Sequence, residues 1–71
     1  MSAVIANHSQ AQRASVAAGI VILAAPRWGL SAHRAVEVAA RHASHRVLQG
    51  QSVAGAVAAA RRTARAQGGA A

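Results

Sequence analysis

The chain reads as an all-α protein, a small three-helix bundle with short connections, a frayed N-terminus and a disordered C-terminal tail. Three observations carry that reading. Apolar residues recur at helical spacing in three separate stretches. Stop and start residues (Pro26 with Gly29, Gly50, Ser52) fall between those stretches. No stretch alternates in the two-residue rhythm of a strand. Seventy-one residues allow one domain, so residues 9–66 are expected to form the three-helix unit. Residues 1–8 are its flexible lead and 67–71 its tail.

The first helix is expected from a Ser9 cap through Gln10–Ala25. Val16, Ile20 and Leu23 fall at i, i+4 and i+7 and make one apolar stripe, broadened by Val21 and Ile22. Gly19 costs the helix about 1 kcal/mol relative to alanine, and close approach of a neighbouring helix would justify it. Pro26 ends the helix because the residue before a proline avoids the α region. Gly29 then supplies a left-handed turn position and Ser31 an N-cap.

The second helix is expected from about Ala32 to Val47 or Leu48. Ala35, Val38, Ala39 and Ala43 form its inner stripe, with Arg34, Glu37 and Arg41 opposite. Glu37 and Arg41 stand four apart in the favourable order. Gln49-Gly50-Gln51 breaks the pattern and Ser52 caps a third helix. Its inner face is Val53, Ala56, Val57 and Ala60. Arg61, Arg62 and Arg65 gather towards its C-terminal end, where the helix dipole favours cations.

Composition narrows function. There is one acid, Glu37, against eight arginines, no lysine and four histidines, for a net charge of +7. That imbalance points to a polyanionic or acidic partner. Alanine fills 22 positions, so the core is thin, and a domain this small gains stability by pairing with a second copy. The same arginine- and alanine-rich composition arises in an unselected GC-rich reading frame. The helix periodicity with its placed stops argues against that origin.

Enzyme chemistry is not expected. A single carboxylate excludes a carboxylate pair, the absence of aspartate excludes a Ser/His/Asp triad, and no glycine-rich phosphate loop is present. His42 with His45, or His33 with Glu37, makes at most half a metal site, so no cofactor is expected. The apolar run Val16–Ala25 is shorter than the roughly 20 residues that span a bilayer, and no signal-peptide pattern precedes it. A cytoplasmic location without membrane association is the expectation.

Arg27, Trp28, Arg34, Arg41 and Arg46 are the candidate binding residues. Lacking acids to neutralise them, the arginines make a positive field. Trp28, the only aromatic, either lids the core or stacks on an unpaired base beside Arg27. The reading requires the guanidinium groups to share an exposed side.

From Trp28 to about Ala60 the chain resembles the ANTAR family, the three-helix RNA-binding module of bacterial transcription antitermination regulators. Gly29-Leu30-Ser31 matches that family's turn and Ala35-Val36 its alanine–aromatic pair. Arg41-His42-Ala43-Ser44 matches the end of the second helix, and Val53-Ala54 with Val57 the last apolar face. Val36 stands where an aromatic is usual, Val47 where asparagine is common, and Gly50 where leucine is expected. The family's small-residue step in the first helix matches Ala17-Ala18-Gly19 only with a shift. The resemblance implies packing roles for Ala35, Ala43, Val53 and Ala54. It also implies binding of hairpin loops in nascent RNA, by a homodimer or as part of a larger regulator. Rival readings are a helix-turn-helix bound to duplex DNA and a structural or interaction protein bound to an acidic partner.

Overall fold

The computed structural model describes residues 2–70, with side chains for residues 9–67. Three helices are present: α1 (Ser2–Ala24), α2 (His33–Leu48) and α3 (Val53–Ala70), with a short 3-10 turn, Ala25–Trp28, after α1. No strand occurs among the described residues. The bundle is elongated, 48 × 18 × 14 Å. No helix among them is long and apolar enough to cross a membrane.

Both connections use the same device. After the 3-10 turn, Gly29 adopts φ 88° and donates to the Pro26 carbonyl, while the Leu30 N–H reaches back to Ala25 O at 3.0 Å. After α2, Gly50 adopts φ 109° and donates to Val47 O, and the Gln51 N–H reaches Arg46 O, each at 3.0 Å. These paired back-bonds are the Schellman arrangement, which satisfies the last carbonyls of a helix and needs a left-handed residue. Leu30 also buries itself beside Ala25 and Ala64, supplying the apolar contact that accompanies the motif. Pro26 sits in the first turn of the 3-10 segment, where a missing N–H costs nothing.

Helix starts differ from expectation at two of three places. Ser52 does cap α3: its Oγ accepts the Gly55 N–H at 3.0 Å. Ser31 does not cap α2; the cap position is Ala32, with no side-chain bond. Ser9 is not the cap of α1, which begins at Ser2; its hydroxyl instead accepts a 3.4 Å bond from Arg13 one turn on. A serine caps only where the chain bends into extended backbone just before the helix, and at Ser9 the backbone is already helical. Among the residues expected to be flexible, the side chains of 1–8 and 68–71 lie outside the described ones, and the helical backbone of α3 continues to Ala70.

The core is alanine with two valines. Ala14, Ala17 and Val21 of α1 meet Ala40, Ala43 and Val47 of α2 and Ala56 and Ala60 of α3. A smaller cluster of Ala25, Leu30 and Ala64 lies at one end, and Trp28 and Ala39 pack against both clusters. The stripe expected to anchor α1 is on the outside instead: Val16 is 53% exposed, Ile20 39% and Leu23 83%. The α1 wheel carries two apolar faces. The alanine face wins the interior because methyl groups let α2 and α3 approach closely and cover it from two sides. Val38, expected in the inner stripe of α2, is likewise exposed at the rim. A Cβ added at Gly19 would meet nothing within 4 Å, so no neighbouring helix of the bundle requires that glycine.

Candidate nucleic-acid interface

The inner face of α2 is fixed by Ala40, Ala43 and Val47. At 100° per residue the opposite arc must then carry Arg34, Val38, Arg41 and His45, with His42 and Arg46 beside them on the α3 side. All six are exposed. Arg34 to Arg46 spans about 18 Å at 1.5 Å per residue. That length faces about five nucleotides of one strand at about 3.4 Å each.

Between α2 and α3 this arc descends into an open groove of about 240 Å³. Its α2 rim carries Arg34, His42 and Arg46, its α3 rim Thr63 and Gln67, and the rest of its lining is alanine with Leu30 and Val38. The groove exists because alanine sits at the α2–α3 contact and leaves the space between the helix backbones partly unfilled. Thr63 returns its hydroxyl to the Ala59 carbonyl at 3.1 Å, as mid-helix threonines do. Near the end of α2, Gln49 Nε2 lies 3.2 Å from His45 Nε2.

The electrostatics are one-sided. The expected Glu37–Arg41 pair does not form; Glu37 faces back one turn to His33, with Nε2–Oε1 3.2 Å and both groups exposed. A carboxylate at i has basic side chains available at i−4 and i+4, and here it takes the imidazole. That is the one contact between a basic and an acidic side chain among the described residues, and no arginine among them engages a carboxylate. An exposed pair of this kind adds little to stability. Its consequence is that Arg41 is left without a carboxylate partner.

Of the candidate residues, Arg34 and Arg41 share the outer arc of α2, whereas Arg46 lies more than 100° round the helix, on the flank that lines the groove. Arg27 is exposed in the 3-10 turn, at the far side of the Gly29 bend. Trp28 is half-buried and joins the two core clusters, so its packing role is established and only its outer part is open. Arg61, Arg62 and Arg65 are exposed on a different sector, the arc of α3 turned away from the groove. They lie short of the last turn of α3, which contains no cation, so a helix-end dipole does not account for them. The positive charge therefore occupies two faces, not one. Sequence reasoning did not single out His42, Thr63 and Gln67 as groove residues; the i, i+4 line Arg34–Val38–His42–Arg46 was the available signal for the α2 rim. No group of three or more potential metal ligands occurs among the described residues.

No family model, curated protein or solved structure matches this chain.

Proposed function

We propose that this chain is an RNA-binding module that grips hairpin RNA through the outer face of α2. The observation that carries the reading is the exposed cationic side of α2, with Arg34 and Arg41 on its outer arc and Arg46 and His42 on the flank towards the groove, beside a carboxylate that contacts His33. Arginine suits phosphate by presenting a planar fork of donors. The adjacent alanine-rich groove offers an apolar surface against which an unstacked loop base can lie. Target class comes from the resemblance to antitermination modules: hairpin loops in nascent RNA, whose capture prevents a terminator hairpin from forming. Trp28 serves mainly to hold the Gly29 bend, and so the start of α2, in place.

Fluorescence anisotropy against a labelled hairpin RNA over a salt series tests this. Each loop phosphate that an arginine no longer neutralises lowers the slope of log affinity against log salt by about 0.7. Replacing Arg34, Arg41 and Arg46 by alanine together should flatten the slope by about 2 on that basis. The matched replacement of Arg61, Arg62 and Arg65 should change it less. Equal effects of the two triple variants would mean diffuse charge rather than a binding face. Preference for duplex DNA over the hairpin in competition would reassign the ligand.

A further inference from the structure

We infer that the outward arc of α3 is a second phosphate-binding face, blind to sequence. It takes a nucleic-acid backbone other than the one held on α2, so that a single protomer bridges two segments. The bridge rests on the RNA reading of α2, whereas the α3 site stands on its own.

The inward line of α3 is Ala56, Ala60 and Ala64, and Ala59, Thr63 and Gln67 turn to the groove. At 100° per residue Arg61, Arg62 and Arg65 then share an arc of about 100° on the remaining side. All three are exposed, and none engages a carboxylate. They stand within about 6 Å of helix length, and like charges at i and i+4 work against the helix. The helix dipole gives no compensation, because the cluster ends short of the last turn of α3. Nothing described in the chain neutralises them.

The rest of the arc defines the anion that fits. Its other exposed residues are Ala54, Gly55, Ala58 and Ala66. No bulky apolar side chain is there to enter a lipid surface or to anchor in a protein pocket. No asparagine or glutamine is there to read a base edge. What remains is positive charge among small side chains, which let a backbone lie close. That suits phosphates, whose contacts position a nucleic acid without reading it. At about 3.4 Å per nucleotide the cluster faces about two nucleotides, against about five for α2.

The two faces are separate. The groove divides them on one side of the bundle and α1 on the other. Even the shortest dimension of the bundle, 14 Å, exceeds the Debye length of about 8 Å at physiological ionic strength. A backbone on α2 therefore leaves the field of Arg61, Arg62 and Arg65 largely intact, and two bound backbones repel each other only weakly.

Two measurements test this. Anisotropy of a labelled oligouridine of about ten nucleotides against the combined Arg34→Ala, Arg41→Ala and Arg46→Ala variant isolates the α3 site. Three single-strand contacts give a slope of about −2 for log affinity against log salt, a loss of about 20-fold between 50 and 200 mM. Adding Arg61→Ala, Arg62→Ala and Arg65→Ala should weaken binding at 50 mM by at least about tenfold. Helical circular dichroism should be kept, since alanine is the better helix former. No oligouridine binding before those three are replaced would overturn the α3 site.

The second measurement is the bridge. Hairpin RNA fixed on beads, loaded with the wild-type chain and washed, should recruit the labelled oligouridine at about one strand per protomer. Arg61→Ala, Arg62→Ala and Arg65→Ala together should keep the chain on the hairpin and lose the recruitment. Recruitment that survives those substitutions would overturn the inference, as would oligouridine that displaces the hairpin one for one. Capture of polyglutamate in preference to oligouridine would overturn it by assigning the face to an acidic protein. A chain that fails to hold the hairpin yet binds oligouridine through α3 would overturn the bridge and the reading of α2 while confirming the α3 site.

Discussion

The core and the outer stripe of α1 make opposite demands on side-chain size, and two substitutions expose this. Val47 is 1% exposed and Leu23 83%. Val47→Ala removes two buried carbons, worth about 0.8 kcal/mol each in transfer, and leaves a cavity that raises the cost to about 2–3 kcal/mol. Small domains shift by about 4–8 °C per kcal/mol, so the melting midpoint should fall by roughly 10–20 °C. Leu23→Ala removes more carbon but from solvent, and should cost the protomer less than about 0.5 kcal/mol. Thermal melts followed by circular dichroism give both numbers. Equal destabilisation by the two variants at the lowest concentration would show that α1 packs through its large aliphatic face, and the assignment of the core would be wrong. Because Val21 and Val47 share one cluster, their double alanine variant should depart from additivity.

Three further substitutions probe the turns and the cap. Ser52→Ala should lower stability by about 1 kcal/mol, a drop of about 4–8 °C, since the Gly55 N–H is left without its acceptor. Gly29→Ala should cost about 1–3 kcal/mol, because φ 88° is left-handed; a Cβ there meets no neighbour, so the destabilisation measured by chemical denaturation reports backbone strain alone. Gly55→Ala should fail to deliver the full gain of a helix-interior alanine, because its Cβ would come within 3.1 Å of the capping Ser52 Oγ; a melt showing the full increase of about 4–8 °C would contradict that geometry.

The sequence announces the punctuation of this fold more clearly than its facing. Pro26, Gly29, Gly50 and Ser52 each do what local chemistry predicts, because a blocked N–H, a left-handed backbone and an Oγ acceptor act within a few residues. Which side of α1 turns inward is a non-local matter. Periodicity finds Val16–Ile20–Leu23 as readily as Ala14–Ala17–Val21, and bulk favours the former. The contact is decided by how closely two alanine-lined neighbours can approach. Glu37 illustrates the same limit at short range, since His33 and Arg41 stand equally far along the helix. Exposure of the arginines was legible from their charge, and the shared arc of Arg34 and Arg41, with Arg46 on the flank, from helical spacing. The groove beside them was not, since it depends on the distance between α2 and α3.

Ala17, Ala43 and Ala56, one from each helix, are fully enclosed where the three helices meet. A methyl group has no torsion to rotate and surrenders almost no freedom when enclosed. Such positions act as hard stops. Truncation can remove almost nothing from them, and any enlargement must push whole backbones apart. Drift at these three sites is therefore confined to the smallest residues, while the oily ridge on the far side of α1 can be rewritten without unfolding the protomer that bears it.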